Sequence, residues 1–188
     1  MCGRYVTDQE CMEMAELYAM IEEREESMRL KRGEIRPTDV VPLIGGREGR
    51  LQAFPGIWGF PSPQGRRPLI NARCETVTQR PTFAESFRSM RCAVPTNGYL
   101  EWSQGGIKHL FRLKNRRMLY LAGICCQRHD HIYFAILTTA AVEGARGVHD
   151  RMPLILPSGA LPLWIDDIDF ARRYLGAIMP EPAVIPLS

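Results

Sequence analysis

Residues 118–139 read MLYLAGICCQRHDHIYFAILTT. Two apolar, β-branched and aromatic runs, Met118–Ile124 and Ile132–Thr139, flank a polar stretch at His129-Asp130-His131, which reads as strand, turn, strand. Upstream lies a third run, Ile107–Leu113, separated from Met118 by Lys114-Asn115-Arg116-Arg117. That spacing predicts a β-hairpin between Ile107–Leu113 and Met118–Ile124, continued as a meander by Ile132–Thr139. Working outward, Pro and Gly breaks delimit further short strands at Val40–Ile44, Arg50–Trp58, Arg91–Val94, Tyr99–Trp102 and Pro153–Leu156.

Helices frame this strand-rich middle. The pattern predicts a helix from Asp8 to Arg32, with Thr7 and Glu10 at capping-box spacing and Met14, Leu17, Tyr18 and Ile21 forming an apolar stripe. Lys31 and Arg32 suit its last turn and Gly33 its end, and the charged run Glu22–Glu26 reads as its solvated face. A short helix fits Pro81–Met90, with Thr82 and Glu85 again at cap spacing and Phe83 and Phe87 on one face. Another fits Asp167–Leu175, stopped by Gly176. Residues 1–188 are therefore expected to form a single α+β domain, a curved antiparallel sheet or small β-barrel-like core flanked by helices.

With 188 residues, 45% apolar and 24% charged, the chain has the composition of a soluble globular protein. No stretch approaches the length of a membrane span, and the N-terminus lacks the apolar run of a signal peptide. The cytoplasm is the expected compartment, with nucleoid association when bound to DNA. The six cysteines contain no CxxC pair, so they read as free thiols in a reducing compartment. No motif calls for a metal or another cofactor.

The net charge of +3 hides an asymmetry. Thr7–Arg32 carries four basic and eight acidic residues, whereas Gly33–Arg151 carries seventeen basic and nine acidic. Of the 24 basic residues 21 are arginine, the side chain best shaped to grip phosphate, although a GC-rich genome also enriches arginine. The basic middle suggests nucleic acid as a partner.

Cys2 follows the initiator methionine. Aminopeptidases remove Met1 before a small residue, which would leave one residue bearing both an α-amine, of reference pKa about 7.7–8.0, and a thiol. An aldehyde meeting this pair forms an imine on nitrogen, and sulfur then closes a five-membered thiazolidine ring. Position alone is equally consistent with an ordinary residue in a frayed terminus.

Six motifs weight the choice: Met1-Cys2-Gly3-Arg4-Tyr5, Trp58-Gly59-Phe60, Ile70-Asn71-Ala72-Arg73-Cys74-Glu75-Thr76, Arg91-Cys92-Ala93-Val94-Pro95, Gly98-Tyr99-Leu100-Glu101-Trp102 and Val148-His149-Asp150-Arg151-Met152-Pro153. In this order, from Met1 to about Leu156, the chain resembles the SOS-response-associated peptidase (SRAP) family, known for suicide crosslinking to abasic sites in single-stranded DNA. The resemblance implies an SRAP-like fold, a monomer, single-stranded DNA with abasic sites as partner, and no membrane. It implies Cys2 as the nucleophile on C1′ of the open-chain sugar, Asn71 as a hydrogen-bonding holder, and Glu101 and His149 as acid–base groups. It also implies DNA binding by Arg4, Arg73, Arg151 and Thr139, with Trp58 and Trp102 stacking on bases or shaping the cleft.

Bland readings remain for each. The tryptophans read equally as core, and Arg151 could pair with Asp150 or Glu75. Besides a stop at Pro186-Leu187-Ser188, where members of the family usually continue, two internal departures from the family pattern are visible. Pro61-Ser62-Pro63-Gln64-Gly65 replaces a second tryptophan, and Glu34-Ile35-Arg36-Pro37 replaces an Asn-x-x-Pro segment. The alternatives are a thiol peptidase with Cys2 as nucleophile, an N-terminal-nucleophile glutaminase, and a non-catalytic single-strand-binding module.

Overall fold

The computed structural model describes residues 2–8, 10–25, 29–47, 49–62, 65, 67–114 and 118–187. Its strands are β1 (Arg4–Thr7), β2 (Gly33–Ile35), β3 (Val40–Arg47), β4 (Arg50–Trp58), β5 (Asn71–Arg73), β6 (Arg91–Thr96), β7 (Gly98–Trp102), β8 (Lys108–Arg112), β9 (Leu119–Arg128), β10 (His131–Ala140), β11 (Arg151–Pro153), β12 (Ile155–Leu156) and β13 (Ala183–Leu187). The helices are α1 (Met12–Glu22), α2 (Pro81–Ser89), α3 (Glu143–Arg146), α4 (Leu161–Asp166) and α5 (Ile168–Tyr174). None of the described helices is long and apolar enough to cross a membrane.

Strands β3, β4, β10, β9 and β6 pair in that order, and β6 returns to β3, so the ring closes into a small barrel. Closure satisfies the edge hydrogen bonds that an open sheet leaves unpaired. Strands β5 and β11 attach to β10, and β12 attaches to β9. A second sheet runs β13-β8-β7-β1-β2. Side chains from both sheets, among them Tyr5, Trp58, Tyr99, Phe111 and Phe134, are buried in one continuous core.

The expected α+β domain with a barrel-like core is the observed fold, with three corrections. The hairpin between Ile107–Leu113 and Met118–Ile124 does not form, because the two strands belong to different sheets. β8 instead folds back on β7 through a turn in which Ser103 N–H donates to Ile107 O at 3.0 Å, and β9 is held between β6 and β10. Asn115–Arg117 of the expected turn lie outside the described residues. The β9–β10 meander does form, and His129 takes the left-handed conformation (φ 52°) in its turn.

Second, the sheet is mixed, since β10 runs parallel to both β4 and β5. Third, the Asp8–Arg32 helix is confined to α1. Thr7 belongs to β1, and its Oγ1 accepts the N–H of Gly33 at 3.1 Å instead of capping a helix. The Tyr18 hydroxyl then donates to Lys31 O at 2.6 Å, pinning the returning chain beneath α1. Of the predicted stripe, Met14, Tyr18 and Ile21 are buried in a small cluster with Leu30 and Ala53. Gly33 is left-handed (φ 78°) but opens β2; Gln9 and 26–28 lie outside the described residues.

α2 and α5 fall where the sequence places them. Pro81 occupies the first turn of α2, so Thr82 makes no cap, whereas Asp167 caps α5 by accepting the N–H groups of Asp169 and Phe170. Arg91, buried in the basic segment, donates to the carbonyls of Phe87, Arg88, Trp164 and Ile165. It therefore closes the ends of α2 and α4 and offers nothing to a partner.

Candidate active site

Strand alternation decides which side chains can meet. Tyr5 lies opposite Tyr99 across β1 and β7, so Tyr5, Tyr99 and Glu101 leave the same face of the five-stranded sheet, toward the core. Cys2 immediately precedes this strand and is fully buried in a chain that still carries Met1. The barrel side is reached through β5: Asn71 Nδ2 donates to the carbonyl of Cys2 at 2.8 Å. This bond ties residue 2 to a strand carried by β10.

β5 is itself positioned by a core residue. Trp58 is fully buried between Tyr5 (ring centroids 5.1 Å apart) and Phe134 (6.3 Å), and its Nε1–H donates to Ile70 O at 3.0 Å, next to Asn71. The same carbonyl accepts the N–H of Ile136 on β10 at 3.0 Å. Trp58 shapes and holds the site from behind and has no face free for a base. Gly59 follows it with φ 129°, where a Cβ would lie 2.7 Å from Pro68, so this motif glycine is required by the close approach of the Pro68–Ile70 segment.

Burial sets the electrostatics of Cys2 and Glu101. Burial pushes the Cys2 thiol well above its ordinary range, the Glu101 carboxylate adds to the rise, and the Sγ–H lies 3.6 Å from Arg4 O. Burial likewise raises Glu101, with His149 near enough to oppose that rise. The backbone N–H of Arg151 donates to His149 Nδ1 at 3.0 Å, while Asp150 Oδ1 sits 2.9 Å from the same nitrogen. The two contacts demand different protonation states. The backbone donor is fixed and Asp150 is exposed, so in the neutral ring Nδ1 is the acceptor and Nε2 carries the proton. Cys2, Asn71, Glu101 and His149, from four separate parts of the sequence, are therefore brought together.

The basic residues divide. Arg73 shares a face of β5 with Asn71 and is exposed. Arg151, next to His149, is bound by both oxygens of Glu75 (2.5 and 2.9 Å) and by Thr138 O (2.5 Å), and its guanidinium holds the Glu75 carboxyl below the usual range. Thr139 is half-buried on β10, beside the fully buried Thr138. Arg4 and Trp102 lie on the other face of the five-stranded sheet from Glu101, away from the cysteine. There Glu34 takes Arg4 (2.5 Å), Lys108 (2.5 Å) and Arg36 (3.3 Å), while the Arg4 and Lys108 cations lie over the Trp102 ring. Among the described residues no cluster of His, Cys, Asp and Glu is placed to hold a metal ion.

A family model for the SOS response associated peptidase (SRAP) matches residues 1–183. The chain belongs to the SRAP family. Abasic site processing protein YedK of Escherichia coli K12 is 30% identical over 177 residues, covering 88% of this chain and 79% of that protein. Abasic site processing protein YoaM of Bacillus subtilis 168 is 26% identical over 205 residues, covering 95% and 85%. In fold, a crystal structure of a protein from Bacteroides thetaiotaomicron superposes with a TM-score of 0.81 at 21% identity, covering all of this chain and 92% of that one. One from Bordetella bronchiseptica gives 0.78 at 20% over the whole of both.

Within this SRAP chain one carboxylate escaped the sequence reading. Glu34, at the position where the Asn-x-x-Pro amide is replaced, is held below the usual carboxylate range, first by Lys108 and then by Arg4. Glu75 lies inside a quoted motif and holds Arg151. Opposite charges far apart in sequence gave no signal of the Glu34 pairings, whereas the Glu75–Arg151 pair is one the sequence offered for that arginine. Tyr99, by contrast, stands two residues before Glu101, and simple alternation along β7 places it on the same face.

Proposed function

We propose that this protein captures abasic sites in single-stranded DNA by condensing the Cys2 amine and thiol with the lesion's aldehyde. The observation that carries this reading is the anchoring of residue 2: the Asn71 amide fixes the Cys2 carbonyl at 2.8 Å beside a buried acid, Glu101. Once Met1 is removed, the amine so placed is the natural first nucleophile, because burial keeps the thiol protonated.

The neutral amine adds to C1′; its N–C bond forms as the C=O π bond opens, and the oxygen takes a proton to give a carbinolamine. Loss of water leaves an imine. Sulfur adds to the same carbon, its proton passes to nitrogen, and the thiazolidine ring closes with one water released overall. Burial raises the Glu101 carboxyl, which is the group placed to give the oxygen its proton and to regain it. His149 serves as the second proton carrier, and Arg73 is the arginine open to a flanking phosphate. Arg151 reaches a phosphate only by exchanging Glu75 for it. Capture of the lesion would shield it from cleavage, and such a protein would act as a monomer in the cytoplasm, on the nucleoid. A thiol peptidase needs an ionised sulfur, and the buried, protonated Cys2 thiol disfavours that reading.

The test is intact mass and denaturing electrophoresis after incubation with an abasic oligonucleotide. The expected result is a protein lacking Met1 joined to DNA with loss of one water, absent in Cys2→Ala. No adduct, or an adduct that survives Cys2→Ala, overturns the reading.

A further inference from the structure

The Tyr99 side chain is 1% exposed, and its hydroxyl has no hydrogen-bond partner among the described residues. Its ring is stacked on Phe111, with centroids 4.7 Å apart and planes 12° from parallel, so the hydroxyl is held in a fixed direction. Two groups dominate its electrostatic surroundings after burial, Cys2 and Glu101. Asn71 Oδ1, on the amide that holds the Cys2 carbonyl, is likewise buried and without a partner. Buried polar atoms are normally satisfied, so two that flank one reactive residue mark a place where an oxygen- or hydrogen-bearing ligand completes the bonding.

Tyr5 also has an unpartnered buried hydroxyl, but its ring packs on Trp58, and its surroundings include Tyr18, Asp39 and Cys92 as well as Cys2. Tyr99 shares the β7 face of Glu101, and Cys2 and Glu101 are the titratable groups that act on its hydroxyl.

We propose that the Tyr99 hydroxyl is a further residue of the reaction, donating a hydrogen bond to the lesion's aldehyde oxygen while the Cys2 nitrogen adds to C1′. This rests on the function proposed above. As the C=O π bond opens, negative charge gathers on that oxygen, and a donor already aimed at it stabilises the charge without reorganising. Burial keeps the phenol protonated, so it remains a donor throughout; the proton that converts the oxygen to a leaving water comes from Glu101. Tyr99 holds the oxygen and Glu101 moves the proton.

The decisive variant is Tyr99→Phe, which keeps the ring and its stacking on Phe111. Three quantities separate a chemical from a structural role: the single-turnover rate of adduct formation, affinity for an oligonucleotide carrying a tetrahydrofuran abasic analogue that has no aldehyde, and the melting temperature. The expected result is a rate on the order of ten- to a hundredfold lower. That factor is the same at every pH, because Tyr99 does not titrate there, with analogue affinity unchanged and melting temperature unchanged or raised. A wild-type rate overturns the inference, as does a slower rate that tracks weaker analogue binding or a lowered melting temperature. If the unaltered protein forms no adduct at all, the proposed function fails and the Tyr99 role falls with it.

Discussion

Replacing Trp58 by phenylalanine separates a core strut from a base platform. The indole is fully buried, so the substitution removes its pyrrole half from a packed site, leaving a cavity worth roughly 1–3 kcal/mol. It also removes the Nε1–H bond to Ile70 O at 3.0 Å, although that carbonyl keeps the N–H of Ile136. The lost bond is therefore near the lower end of the range, about 1 kcal/mol. The sum is about 2–4 kcal/mol of stability, measurable by urea unfolding as a lower midpoint at unchanged slope. Because Ile70 precedes Asn71, adduct formation should slow as well, while affinity for undamaged single-stranded DNA stays within about twofold. A loss of stability below about 0.5 kcal/mol together with a marked loss of single-strand affinity would refute this reasoning and restore Trp58 as a stacking surface.

Glu34→Gln leaves Arg4, Lys108 and Arg36 crowded around Trp102 without their shared anion. For a partly exposed network the expected cost is about 0.5–1 kcal/mol, larger at low salt. Since Glu34's carboxyl is held below its unfolded value, its contribution is fully present above the unfolded pKa, about 4.3. The contribution is lost as pH falls through the lowered folded value, so the wild-type and variant unfolding curves should converge in acid. Glu101 carries the opposite sign: its raised folded value makes its ionisation destabilising, so Glu101→Gln should gain stability relative to wild type as pH rises from about 4 toward neutrality. For the thiols, iodoacetamide at neutral pH should label half-buried Cys126, pushed up to about 11, before fully buried Cys2, read by peptide mass mapping in the native protein.

Long, strongly patterned segments were legible from sequence. Arg50–Trp58 is a strand over its predicted length, and α5 begins at a capping aspartate. Strands of three or four residues, such as β2 and β5, carry too few alternations to be read, although β5 delivers Asn71. The misplaced hairpin has a different cause: a short polar gap between apolar runs says that the chain turns, and only partners distant in sequence decide which sheet each run joins. The proposed site residues Cys2, Asn71, Glu101 and His149, which the fold gathers, were legible because the motifs lie in family order. The fate of Arg4 was not, because it depends on Glu34 meeting it from far along the chain, whereas Arg151 takes the Glu75 pairing that the sequence offered.

Strand β10 closes the barrel, carries β5 and hence Asn71, and pairs with β11 just after His149. The N-terminus leaves the ribosome first and can lose Met1 early, but the strand that gathers its partners is made much later. Aminothiol chemistry is indiscriminate toward small aldehydes, and the fold buries the residue that carries it. On the proposed function, residue 2 has neither its amide anchor nor its acid until the barrel shuts, so capture of a lesion waits on strands made long after the N-terminus.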